Sequence, residues 1–395
     1  MIHLDANATA TIRPSVREAL RRLVDQDFGN PSSVYSAGRL SRTLIRNSKK
    51  RIIRALMDNE RSDVTLFFTS GGTESCNSLV HGFVDQNSTN HAGEIVTTAI
   101  EHSAMLDPIH NQHGYKVIEV LPDESSIVSV ESIIAAVTAR THLVSIMAAN
   151  NETGAIQPVA EVARALRASG YSGPIVSDFS QAFGKSELTV EELFSAGVSA
   201  VAISGHKLGA LPGIGAVVLA GASYGLCLPF QPLLLGGGQE GGFRSGSENL
   251  LGIASMAEAV SEISKIGSAE RARLQGLRDL LWKRLEASLA PVFRITPENS
   301  LVNTLLLRIP ECRSDDLVVS LDLRGVSASR GSACNSGTQR PSHVLAALNF
   351  SELASKEVIR FSLDWTVDES MLSKAADEIE GAVFEIRNSL RRSAA

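Results

Sequence analysis

Ser204-Gly205-His206-Lys207 sits between two short apolar runs, residues 198–203 and 213–219. A lysine at the mouth of a buried strand is in an unusual place. Burial disfavours the charged amine and lowers its pKa, which suits it to attack a carbonyl. A Schiff base with pyridoxal phosphate is the common use of such a lysine. A surface lysine at a strand end is the other reading, and the tetrapeptide alone does not separate them.

Other stretches carry chemistry of the same kind. In Phe68-Thr69-Ser70-Gly71-Gly72-Thr73-Glu74 an apolar run ends and a helical pattern begins near Thr73. Glycines let the backbone approach an anion, and a helix start offers free N–H groups to it. Gly72 and Thr73 therefore form a phosphate cradle or a plain turn. His102, after the run 95–100, would lie over a cofactor ring or move protons, or else sit on a helix N-terminus. Asp178 follows Ile175-Val176-Ser177 and precedes Gln181. A carboxylate there can keep a ring nitrogen protonated, or simply cap a turn. Asn150-Asn151-Glu152 reads as turn residues or ligand donors.

Arg360 lies inside an apolar strand pattern, where an arginine usually pairs with a carboxylate of the protein or of a substrate. Gly236-Gly237-Gly238-Gln239-Glu240-Gly241-Gly242, followed by Arg244-Ser245-Gly246-Ser247, is a mobile loop or a place where backbone packs on a ligand or partner chain. Cys334 is surrounded by Gly331, Ser332, Ala333, Ser336 and Gly337. Such neighbours suit an exposed, mobile thiol better than a core cysteine, and a tolerated surface cysteine is the alternative.

The elements that position these residues alternate. Strand patterns are expected at 64–68, 95–100, 116–121, 143–148, 174–177, 198–203 and 214–219, with helical patterns at 40–57, 128–139 and 159–168. This alternation implies an α/β fold with a mainly parallel sheet covered by helices on both faces. Ligands of such sheets bind beyond the carboxyl ends of strands, where most of the candidates fall. After residue 253 the pattern changes to helices at 253–266 and 269–289, strands at 303–309 and 358–363, and an amphipathic helix at 369–390. Residues 391–395 are expected to fray. The expected division is a large domain at 16–252 and a smaller α+β domain built from 1–15 and 253–395.

With 395 residues the chain exceeds one ordinary core. Its charge balance, 37 − 43 = −6, with no long basic run, argues against nucleic acid. No apolar stretch approaches the ~20 residues of a membrane span. Residues 1–10 show neither a basic nor an apolar segment of a signal peptide. Cys76, Cys227, Cys312 and Cys334 lack CxxC spacing, which argues against zinc and disulfides and fits a reducing cytoplasm.

Taken in order, these pieces resemble the cysteine desulfurases of the NifS/IscS type. The resemblance runs from Leu4-Asp5 and Asn7-Ala8-Thr9 through Gly29-Asn30-Pro31-Ser32-Ser33 and Thr69-Ser70-Gly71-Gly72-Thr73-Glu74-Ser75. It continues through Asn150-Asn151-Glu152-Thr153-Gly154, Ser204-Gly205-His206-Lys207 and Gly236-Gly237-Gly238-Gln239-Glu240. Gly331-Ser332-Ala333-Cys334 and Arg360-Phe361-Ser362 complete it. The resemblance implies PLP fold type I, the aspartate-aminotransferase-like architecture. It implies pyridoxal phosphate as cofactor, L-cysteine as substrate and alanine as product.

The resemblance also implies roles. Lys207 would carry the cofactor, Asp178 would face its ring nitrogen and Gln181 its ring hydroxyl. His102 would stack on the ring and assist proton transfer. Gly72, Thr73, Ser204 and His206 would hold the phosphate, joined by Ser247 from the second subunit of a homodimer. Asn151 and Arg360 would bind the substrate carboxylate, and Asn151 would also contact the cofactor. Cys334 would take the sulfur as a persulfide and pass it to an acceptor protein, an iron–sulfur scaffold or another sulfur carrier. Several positions depart from the family pattern: Ala6, Ala10, Tyr35, Gly209-Ala210-Leu211-Pro212, Ser247 and Asp364. None of them removes a catalytic role. An aminotransferase or a selenocysteine lyase of the same fold, or a non-catalytic partner protein, are the alternative readings.

Overall fold

The computed structural model describes residues 1–57, 63–84, 93–226, 228–331 and 342–394. Cys334 and Cys227 lie outside the described residues. The strands in chain order are β1 (Ile2–His3), β2 (Thr65–Thr69), β3 (Gly93–Thr98), β4 (Tyr115–Val120), β5 (Thr141–Ser145), β6 (Ile175–Asp178), β7 (Ala200–Ser204) and β8 (Gly215–Leu219). Then follow β9 (Phe293–Arg294), β10 (Thr304–Arg308), β11 (Val326–Ser327), β12 (Ser329–Arg330) and β13 (Val358–Ser362).

Among the described residues, β2 to β8 form a seven-stranded sheet in the order β2-β8-β7-β6-β5-β3-β4. Its pairs are parallel except where β8 runs antiparallel to β2 and β7. β7 and β8 are buried at every position, because helices cover both faces and leave no solvent side for polar alternation. That is why these strands read as continuous apolar runs. Gly215 at the start of β8 is required by close approach: a Cβ there would meet the Gly71 carbonyl carbon at 2.6 Å.

The helix Val159–Ala168 has the bounds its periodicity gives. Two expected helices are instead one of 39 residues, Leu250–Ser288. Gly267 lies inside it and does not interrupt it. A mid-helix glycine costs only about 1 kcal/mol relative to alanine, and this helix is anchored at both ends. Ile253, Met256 and Val260 pack into the core of the large sheet, while Leu274, Leu277, Leu281 and Leu285 belong to a second core.

That second core lies on a four-stranded antiparallel sheet of order β12-β13-β10-β9. Leu4 from the chain start, buried completely, packs into it beside Leu305, Leu307 and Phe361. The closing helix Glu369–Ala394 runs past residue 390, so 391–394 continue the helix where fraying was expected. Short strands such as β12 were not expected, since two residues carry no periodicity to read. Among the described residues no helix is long and apolar enough to cross a membrane.

Candidate active site

β6 and β7 are parallel neighbours, with Asp178 opposite Ala202, so their last residues point toward one place. β7 ends at Ser204 and passes into a 3₁₀ turn, Gly205–Leu208, which carries His206 and Lys207. Gly209 closes that turn at φ 81°, a backbone geometry that favours glycine. The half-buried Lys207 donates from Nζ to the carbonyl oxygens of Asn7 and Ala8, both at 2.7 Å. A cavity of about 320 Å³ opens here.

Gly72, Thr73 and Ser204 form one end of the cavity. The helix Gly72–Phe83 starts there from Gly71, which has no side chain to cap it, so among the described residues its first N–H groups are open to an anion. A Cβ at Gly72 would stand 2.9 Å from the Ser204 Cβ, so only glycine lets this helix start approach β7. Ser204 Oγ is buried with no hydrogen-bond partner among the described residues. An orphaned hydroxyl beside an uncapped helix start fits a bound phosphate. His206 also lines the cavity, with Nδ1 3.1 Å from Thr9 Oγ1. Burial, then the charges of Lys207 and Lys185, push its pKa down to about 4, so its imidazole is neutral near pH 7.

Asp178 is buried and accepts from the Ser180 N–H at 2.9 Å. Gln181 donates from Nε2 to the Asn7 carbonyl at 2.9 Å and accepts from Lys185 Nζ at 2.7 Å. Lys185 also reaches Asn7 Oδ1 at 3.2 Å. Burial, reinforced by Lys207 and Arg360, lowers the Lys185 pKa to about 7. Lys185, buried behind Gln181 and Asn7, is thus a second lysine beside this site, which the sequence reading missed. Its signal was the i,i+4 spacing from Gln181, which carries no meaning until the turn is known.

His102 caps the helix Ser103–His110, accepting from the Ala104 N–H at 3.0 Å through Nδ1, and also lines the cavity. The two sequence readings of His102 are thus compatible. Arg360 is 1% exposed in the middle of β13. It pairs with Asp5 at 2.7 Å through Nη2 and donates to the Asn151 carbonyl at 2.8 Å through Nη1. Its Nε has no partner among the described residues. Asn151 and Arg360 both face the cavity.

Asn7 joins these parts. Its carbonyl accepts from Lys207 and Gln181, its Oδ1 from Lys185 and Asn303, and its Nδ2 donates to Thr304 Oγ1 at 2.8 Å. Sequence motifs included Asn7 but gave it no task. Within the glycine cluster the Glu240 side chain is anchored, accepting from the Phe68 N–H at 2.9 Å and pairing with Lys49 at 2.7 Å, while the glycines around it are exposed. Ser247 is exposed and is not among the residues lining the cavity. Cys76 lines the cavity wall, and burial, with Asp178 and Glu101 nearby, raises its pKa well above the thiol range. Its thiol stays protonated. Burial likewise pushes the Cys312 thiol up to about 12.

The profile of the class-V aminotransferases matches residues 2–373 of the chain. A cysteine desulfurase IscS of Dictyoglomus turgidum is 33% identical over 389 residues, covering 98% of this chain and 95% of that protein. A selenocysteine lyase of Bos taurus is 32% identical over 418 residues, covering 98% and 94%. A solved NifS-like protein superimposes with a TM-score of 0.87 at 30% identity, covering 97% of this chain and 99% of that one.

Proposed function

Since the chain belongs to the class-V aminotransferase family and is a pyridoxal-phosphate-dependent cysteine desulfurase of the NifS/IscS type, we propose that the cavity at the ends of β6 and β7 is its catalytic site. The observation that carries this reading is the convergence on one cavity of Lys207, Asp178, Arg360 and an uncapped helix start with the orphaned Ser204 hydroxyl. Lys207 holds the cofactor, Asp178 serves its ring nitrogen and Gln181 its ring hydroxyl. Gly72, Thr73, Ser204 and the neutral His206 hold its phosphate. When bound, the cofactor supplies an electron sink for the charge left at the substrate α-carbon.

This chain's residues do the rest. Arg360, already desolvated and held by Asp5, binds the substrate carboxylate together with Asn151. Lys207 and His102 move the α-proton. The Cys334 thiolate attacks the substrate sulfur, so an S–S bond forms and the Cβ–S bond breaks. The electron pair of the broken bond is left on the carbon side. Protonation there gives alanine, and the sulfur stays on Cys334 as a persulfide. An acceptor protein of iron–sulfur assembly or another sulfur carrier removes it. Ser247 of a second copy completes the phosphate site, which makes the enzyme a homodimer. The cytoplasm is its proposed location, consistent with cysteines that lack disulfide spacing. Residues 16–252 act as the large domain, whose core also takes in Ile253, Met256 and Val260, and 1–15 with the rest of 253–395 act as the small one.

Incubation of the purified holoenzyme with L-cysteine and an added thiol, which reduces the persulfide to sulfide and is itself oxidised to a disulfide, with alanine and sulfide quantified, tests the activity. Equal yields of both support a desulfurase, whereas an amino group passed to a keto acid without sulfide would make it an aminotransferase. The likeness to the bovine lyase favours a second reading, in which selenocysteine is preferred. Parallel reactions with the two amino acids decide between them.

A further inference from the structure

Glu152 is 3% exposed and follows Asn151 in the turn after β5. Its backbone N–H donates to Asn150 Oδ1 at 2.9 Å, which fixes the turn. Its Oε2 accepts from Ser342 Oγ at 2.7 Å. The same oxygen approaches Gly331 so closely that a Cβ there would lie 2.9 Å from it. Gly331 and Ser342 flank residues 332–341, the stretch of sequence that contains Cys334. One buried carboxylate therefore hydrogen-bonds one stem of that stretch, at Ser342, and packs closely against the other, at Gly331.

Each stem is also fixed toward the substrate-carboxylate site. Two residues before Gly331, Ser329 of β12 pairs with Arg360 of β13. Ser342 caps the helix His343–Ala347, and His343 Nε2 lies 2.8 Å from the Glu101 carbonyl oxygen. Asn151, the neighbour of Glu152, accepts from Arg360 through its carbonyl. A buried carboxyl is costly, and burial raises the pKa of this one, opposed by Ser342 and by the nearby His343, Arg360 and His102. Plain stability would be served better by an apolar side chain of similar size.

We propose that Glu152 is a positioning residue for sulfur transfer, holding Gly331 and Ser342 at a set distance from Arg360 so that Cys334 meets the substrate sulfur. The inference rests on the desulfurase reading. It separates two stages of the reaction: removal of the α-proton does not need the stems in place, while attack by Cys334 does.

The test uses purified holoenzymes of the wild type, Glu152→Ala, Glu152→Gln, Gly331→Ala and the Glu152→Ala/Gly331→Ala pair. Cofactor content is checked by absorbance. Exchange of the L-alanine α-proton in heavy water reports the first stage. Single-turnover loading of sulfur onto the Cys334 peptide, read by mass spectrometry, reports the second. Glu152→Ala should slow loading by about tenfold or more, since a displacement of about 1 Å can cost up to ~100-fold, while α-proton exchange stays within about twofold. Glu152→Gln keeps an acceptor for Ser342 and should recover most of the loading rate. Gly331→Ala should copy Glu152→Ala, yet add little in its background, because the new methyl then has room. Equal falls in both stages, unchanged loading in Glu152→Ala, no recovery in Glu152→Gln, or additive effects of the pair would each overturn the proposal. A wild type that never loads sulfur on Cys334 would instead overturn the functional reading, and the inference with it.

Discussion

Replacing Lys185 with methionine keeps most of the side-chain volume and removes a buried amine. In the folded chain that amine has its pKa lowered from 10.5 to about 7, chiefly by burial and then by Lys207 and Arg360. Asp364 acts in the opposite sense and Arg13 in the same sense. Below pH 7 both folded and unfolded chains carry the proton, and the folded state bears the full penalty. Between about 7 and 10.5 the folded amine is neutral while the unfolded one is still charged. The unfolded chain then binds more protons, so stability rises with pH across that window. At ~1.4 kcal/mol per unit the whole penalty is about 5 kcal/mol. The hydrogen bonds of Lys185 to Gln181 and Asn7, at 2.7 and 3.2 Å, oppose it. Each is worth about 1 kcal/mol net, and a neutral amine still donates both, so they move the curve without changing its slope. Urea unfolding of the cofactor-free wild type and Lys185→Met, at several pH values, measures the difference. That difference should shrink by about 2–3 kcal/mol between roughly pH 7.5 and 9.5. Parallel stability curves for the two proteins would refute a depressed Lys185.

Lys207→Ala should purify without a borohydride-reducible bond to the cofactor; a normal reducible bond in that variant would remove Lys207 from its role. Arg360→Ala should raise KM for L-cysteine by roughly 10- to 100-fold, the worth of one lost charge-assisted hydrogen bond, and a KM within about threefold of wild type would take Arg360 out of substrate binding. Sedimentation should find a dimer that loses cofactor on dissociation, because ligand and interface are linked. Ser247→Ala should weaken cofactor retention, whereas a monomer with full cofactor and activity would contradict the shared site.

The sheet was legible because β7 and β8 are buried on both faces and read as unbroken apolar runs. The single long helix was not, because Gly267 and Ser268 interrupt the apolar pattern where the helix passes from one core to the other. Residues at strand ends, such as Asp178, Ser204 and Lys207, could be named because parallel sheets place ligands there. Lys185 and Asn7 could not. Their work depends on segments more than a hundred residues apart meeting at one point, as Asn7 meets Gln181, Lys207 and Thr304. Glu152 stood inside a quoted motif, but its meaning comes from Gly331 and Ser342, which only the tertiary structure brings to it. Arg360 was read as pairing with a carboxylate of the protein or of a substrate. In the folded chain it does the first, with Asp5, and its Nε, beside the cavity, has no partner among the described residues.

The central claim is that Cys334 alone among the four cysteines receives the substrate sulfur. Cys76 and Cys312 are buried thiols held in the protonated form, and a protonated thiol is a poor nucleophile. Mass spectrometry of the wild type after brief exposure to L-cysteine, alongside Cys334→Ser, tests this most directly. The account predicts one added sulfur on the Cys334 peptide. It also predicts a Cys334→Ser enzyme that still changes its cofactor spectrum with cysteine yet releases almost no sulfide. Added sulfur found mainly on Cys76, Cys227 or Cys312, or substantial sulfide from Cys334→Ser, would contradict it.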